Sequence, residues 1–152
     1  MGARSSRFVA GVLLALSSLS GCLEPGDAIY LPRDTVPPRV VSTAPGGGET
    51  LPRGGSLRVT FSEAMDVRSL RPGFAVFSGR DELPLVLTAP PVPELDEDVE
   101  RGDVPYTVEA AFAEGVVLTP NTQYTLVLRT VLTDYEGNPL SSEIRIVFRS
   151  AP

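Results

Sequence analysis

Ser56-Leu57-Arg58-Val59-Thr60-Phe61 alternates polar and apolar side chains and places Leu57, Val59 and Phe61 on one face. A period of two marks a half-buried strand, because successive side chains leave a pleated backbone on opposite sides. Residues 123–128 repeat the pattern with Tyr124, Leu126 and Leu128, and residues 143–148 with Ile144, Ile146 and Phe148. Shorter or weaker runs at 39–42, 74–78, 83–88, 106–112 and 116–118 bring the expected count to seven or eight strands. Glycine and proline turns separate them, and no stretch keeps a helical period. Short strands, each with one apolar face, predict an all-β sandwich of two sheets buried against each other.

The residues that follow the strand at 56–61 predict how the chain leaves it. In Phe61-Ser62-Glu63-Ala64-Met65-Asp66, the Asp66 carboxylate can cap a single helical turn by accepting from the N–H of Arg68 or Ser69. Met65 and Leu70 then stand at the two positions of a hydrophobic staple, and the turn carries the chain between sheets. Further on, Leu118-Thr119-Pro120-Asn121-Thr122-Gln123-Tyr124 sets a tyrosine at the start of a core strand just after a turn. That is the arrangement of a tyrosine corner, whose hydroxyl bonds to backbone a few residues upstream and pins a Greek-key crossing.

Four segments in order resemble the bacterial Ig-like domain of the type found in the S-layer protein SbsA. They are Pro37-Pro38 through Pro45, Phe61 through Asp66, Leu118 through Tyr124, and Asp134-Tyr135-Glu136-Gly137-Asn138-Pro139-Leu140, followed by a last strand containing Phe148. The resemblance covers about residues 37–150. It implies an Ig-like Greek-key sandwich serving as a spacer or binding module, and no catalytic activity.

Ahead of this domain, Arg4 and Arg7 precede the apolar run Phe8-Val9-Ala10-Gly11-Val12-Leu13-Leu14-Ala15-Leu16. The run is shorter than the roughly 20 apolar residues a membrane span needs, and with its positive start it predicts an export signal over residues 1–21. Leu19, Ser20, Gly21 and Cys22 resemble the lipobox of bacterial lipoproteins. The resemblance implies cleavage before Cys22, a thioether-linked diacylglycerol on its sulfur, and an acylated new amino terminus. Two or more acyl chains hold a protein stably to a bilayer where one does so marginally. Leu23 stands where aspartate would signal inner-membrane retention, so the expected address is the cell envelope at the outer membrane. Residues 22–37, rich in proline and charge, read as a tether, and 38–150 as the sandwich domain.

Removal of residues 1–21 leaves 152 − 21 = 131 residues, enough for one domain with a core. The leader takes two of the thirteen basic residues, so the mature chain carries eleven basic and nineteen acidic ones, a formal charge of −8. Nucleic-acid binding needs a basic face and is not expected. The chain contains no histidine and no lysine, and Cys22 is its one cysteine. Histidine-dependent nucleophiles, histidine-ligated zinc and lysine Schiff bases are therefore excluded.

Paired carboxylates remain the one common catalytic class open, with Glu63, Asp66 and Asp134 as candidates for a carbohydrate-active or other hydrolase. The capping role expected of Asp66 argues against such a pair, and Asp134 reads as the start of an Asx-stabilised turn. The long segment 89–105 holds Glu94, Asp96, Glu97, Asp98, Glu100 and Asp103, a set of hard oxygens suited to calcium. Its prolines and its lack of EF-hand spacing favour a solvated loop, and Arg101-Gly102-Asp103 reads as a chance tripeptide. The expectation is thus a lipid-anchored Ig-like module with no catalytic, cofactor or metal residue. Its partner would be an envelope protein or polysaccharide, met through sheet edges or the 89–105 loop.

Overall fold

The computed structural model describes residues 33–92 and 104–152. The leader, Cys22 and the acidic residues Glu94 to Asp103 lie outside the described residues. Within them the chain forms nine strands and one helix: β1 (Val40–Ala44), β2 (Thr50–Leu51), β3 (Leu57–Phe61), α1 (Val67–Gly73), β4 (Phe74–Ser78), β5 (Asp81–Leu83), β6 (Leu85–Thr88), β7 (Tyr106–Phe112), β8 (Gln123–Leu128) and β9 (Ile144–Ser150). One sheet has the order β1-β3-β7-β6 and the other β2-β9-β8-β4-β5. This is the Ig arrangement, with a four-stranded ABED-type sheet and a GFC sheet (β9-β8-β4) extended by one edge strand on each side, β2 and β5. All pairs are antiparallel except β2 with β9.

The sandwich predicted from the alternation is therefore the fold. Leu57, Val59 and Phe61 from one sheet and Tyr124, Leu126, Leu128 and Phe148 from the other are buried in one core. The sheets meet where the Phe61 and Phe74 rings approach edge to face, centroids 6.2 Å apart, a geometry that favours the ring quadrupoles. Tyr124 and Phe148, directly opposite in the β8–β9 register, stack at 5.8 Å.

Three details depart from the alternation. Residues 83–88, expected as one strand, are two strands in different sheets. Pro84 lies between them and has no N–H to offer a ladder, so β5 ends at Leu83 on β4 and β6 starts at Leu85 on β7. Residues 116–118 form no strand; Val116 instead closes a turn by donating its N–H to the Ala113 carbonyl. The two-residue β2 is too short to carry a period at all.

The capped turn forms as predicted and is slightly longer. Asp66 Oδ1 accepts from the Arg68 N–H at 2.9 Å, and Met65 and Leu70 are both buried in the core. The Arg68 guanidinium bonded to Asp66 holds that carboxyl below its usual range. No helix among the described residues is long and apolar enough to cross a membrane.

The tyrosine corner also forms. The Tyr124 hydroxyl accepts the Thr119 N–H at 2.9 Å, and the turn between them is pinned a second time by Ser150, whose Oγ donates to the Thr119 carbonyl. Substituting Tyr124→Phe should cost about 1 kcal/mol, the net worth of one hydrogen bond. Urea unfolding of the variant measures it. A loss below about 0.3 kcal/mol would mean that water replaces the hydroxyl fully.

Candidate functional site, a four-carboxylate cluster

Asp34, Glu63, Asp134 and Glu136 each bring one carboxylate oxygen into a group in which all four atoms lie within 4.8 Å of one another. These residues come from three separate parts of the sequence, and backbone pairing assembles them. After β3 the chain runs through Ser62–Asp66 alongside residues 133–135. The Asp66 N–H donates to the Thr133 carbonyl, the Tyr135 N–H donates to the Ala64 carbonyl, and Met65 and Asp134 form an isolated antiparallel bridge. Glu63 and Asp134 are thus brought together across 71 residues of sequence.

The turn after Asp134 then closes on itself. Asn138 donates twice to the Asp134 carboxylate, from its backbone N–H to Oδ1 and from Nδ2 to Oδ2, each at 2.7 Å. Gly137 makes the turn at φ 94°, in the left-handed region that favours glycine. The Asx turn expected at 134–139 is therefore real, and it presents Glu136 to the same side.

Asp34 arrives from the segment that the sequence assigns to the tether. Its carbonyl accepts Asn138 Nδ2 at 3.1 Å, and its Oδ1 accepts the Val36 N–H. The neighbouring Arg33 donates from Nη2 to the Glu136 carbonyl at 2.6 Å. Residues 33–36 are thus bonded to the 134–138 turn of the domain.

Glu63 is the unusual member. It is 3% exposed, and its Oε2 has no hydrogen-bond donor. Its Oε1 meets only a long contact from Ser62 Oγ at 3.4 Å. Burial, then the negative charges of Asp134 and Asp34, push its pKa from 4.5 up to about 7; Glu136 adds to the rise, and Ser62 opposes it. Asp134 is 0% exposed. A buried carboxylate without donors is costly, and most such groups have a hydrogen-bond partner or an ion.

Of the three acids considered as a catalytic pair, two converge and one does not. Glu63 and Asp134 share the cluster; Asp66 turns away to cap α1 and to pair with Arg68. The sequence reading missed Asp34, which it counted as tether, and Glu136, which it counted as a turn residue. Only the spacing Asp134-x-Glu136 hinted at two acids on one side of a turn. Leu19, Ser20, Gly21 and Cys22 lie outside the described residues, as does most of the 89–105 loop.

A separate apolar groove of about 440 Å³ is lined by residues including Leu51, Phe112, Val116, Val117 and Leu118. It has no part in the carboxylate cluster.

Two sheets in this order, joined by a capped turn and a tyrosine corner, define an Ig-like module. The chain belongs to the bacterial Ig-like domain family, whose model matches residues 34–150. No curated protein matches it. The family match begins at Asp34, the residue at which the cluster begins.

Proposed function

We propose that this chain is a lipid-anchored cell-envelope protein that holds a single Ig-like module, of the SbsA type, away from the membrane as a structural or interaction element. The observation that carries this reading is the pairing of one Ig-like domain with the segment Leu19-Ser20-Gly21-Cys22, which matches a lipobox at every position. Family membership supports a structural or binding role, and the four motifs in order support the SbsA type. The lipobox supports lipidation of Cys22, and Leu23 after it supports an outer-membrane address.

The rival reading is a carboxylate hydrolase built on Glu63 and Asp134. A pKa near 7 suits a general acid. Both carboxylates, however, are closed off from solvent behind backbone pairing, and neither lines the groove described above. A sugar or ester could not reach them without displacing the residues that cover them. Burial therefore favours a module over an enzyme.

Substitution of Cys22→Ser in the full chain tests the anchor. The parent should sediment with membranes and the variant should not, because the loss of every acyl chain removes the hydrophobic tie. A variant that remains in the washed membrane fraction would overturn the anchor. Mass spectrometry of the parent should in turn show Cys22 carrying diacylglycerol.

A further inference from the structure

We infer that Asp34, Glu63, Asp134 and Glu136 form a calcium site that ties residues 33–36 to the body of the domain. Their oxygens lie within 4.8 Å of one another, which is the separation of two ligands opposite each other across a calcium ion at about 2.4 Å. Four carboxylates offer up to eight hard oxygens, and calcium takes six to eight, monodentate or bidentate. Magnesium holds ligands at about 2.0–2.1 Å in a strict octahedron and keeps several waters, which suits a closed all-protein cluster less well.

An acidic cluster alone would say little. The independent observation is Glu63, a carboxylate 97% withdrawn from solvent whose Oε2 has no donor. Neutral partners are present for two of the other acids: Asn138 holds Asp134 and the Val36 N–H holds Asp34. A carboxylate oxygen keeps a further lone pair after accepting one such bond, so these contacts orient the ligands without consuming them. For Glu63 the described residues supply the Ser62 hydroxyl and no cation. The Arg33 guanidinium donates to the Glu136 carbonyl. A divalent ion supplies the missing positive charge.

The consequence is mechanical as well as chemical. Asp34 belongs to the amino-terminal approach to the domain, Glu63 to the β3–α1 connection, and Asp134 and Glu136 to the β8–β9 connection. One ion would join all three, so that the entry of the chain becomes firm only where calcium is plentiful. This inference does not depend on the anchor proposed above, since binding is measured whether or not Cys22 is lipidated.

The purified full chain, stripped with a chelator and held in detergent, is to be titrated with calcium chloride by calorimetry. One ion per chain is expected, with Kd between about 10⁻⁶ and 10⁻³ M. At a hundred times Kd, the melting temperature should rise by about 8–15 °C. Glu63→Gln and Asp134→Asn should each weaken binding at least tenfold. Glu63→Gln should melt no lower than the stripped parent, which separates lost binding from lost folding. Glu97→Gln with Asp98→Asn should bind as the parent does. Absence of both heat and thermal shift at 10 mM calcium would overturn the site, as would full affinity in Glu63→Gln or magnesium binding as tight as calcium. Loss of binding in the Glu97/Asp98 variant alone would move calcium to the 89–105 loop and overturn it equally.

Discussion

In calcium-free buffer at pH 8, Glu63→Gln is expected to unfold with about 2–3 kcal/mol more free energy than the parent chain. Glu63 titrates near 7 in the folded protein against 4.5 as a free side chain. At 1.36 kcal/mol for each tenfold change, that difference corresponds to about 3 kcal/mol against the ionised form. Here the folded state binds the proton more tightly than the unfolded chain does. Its contribution is therefore most favourable below about pH 4.5 and is lost as the pH rises through about 7. The groups that face Glu63 are Asp134, Asp34 and Glu136, all acidic, and the Ser62 hydroxyl. Glutamine keeps the shape, removes the charge, and brings an amide N–H₂ to carboxylates that can accept it. Urea titrations with chelator at pH 5, 6, 7 and 8 should show the parent losing stability across this range and the variant holding level by comparison. A variant less stable than the parent at pH 8 would mean that the carboxylate already has a favourable partner.

The second large effect lies at Gly73, where α1 passes into β4. A Cβ built there would stand 2.3 Å from Leu132 Cγ and 2.4 Å from its Cδ2. Leu132 is 0% exposed and cannot swing aside, since the clash is with its branch point as well as its tip. The backbone is equally constrained, because the Gly73 carbonyl accepts the Arg129 N–H at 2.8 Å. Gly73→Ala should therefore cost about 3 kcal/mol, the upper end for overpacking a core, out of the 5–15 kcal/mol typical of a domain. Leu132→Ala alone should cost about 2–5 kcal/mol by opening a cavity. The double variant should be less destabilised than the sum, because the new methyl occupies space the leucine vacates. Additive losses would show that the clash is relieved elsewhere. Leu132 lies two residues before Asp134, so the same strain should weaken calcium binding in Gly73→Ala.

Both effects depend on contacts between segments distant in sequence, and that separates what a reader of the chain can and cannot see. The strands at 56–61, 123–128 and 143–148 were legible because alternation is local: burial of one sheet face imposes a period of two on consecutive residues. The Asp66 cap and the Tyr124 corner were legible for the same reason, since donor and acceptor lie within two to five residues. Pro84 could be seen, but its use as the point where the chain changes sheets could not, because sheet membership is a matter of which strand lies alongside. The carboxylate cluster was hidden more fully. Glu63 and Asp134 could be named as candidate acids, but Asp34 and Glu136 have ordinary local readings, as a tether residue and a turn residue.

The amino-acid sequence by itself determined the sandwich, its family, the capped turn, the tyrosine corner, and the absence of histidine and lysine chemistry. Each of these is written in residue types or in short-range spacing. Only the tertiary structure decided that Glu63 is buried with its Oε2 lacking a donor, that Asp34 and Glu136 join it beside Asp134, and that residues 33–36 belong with the 134–138 turn. Those outcomes depend on desolvation and on charges meeting across the β3–α1 and β8–β9 connections. Both are properties of the packed sandwich, and no local stretch of the chain carries them.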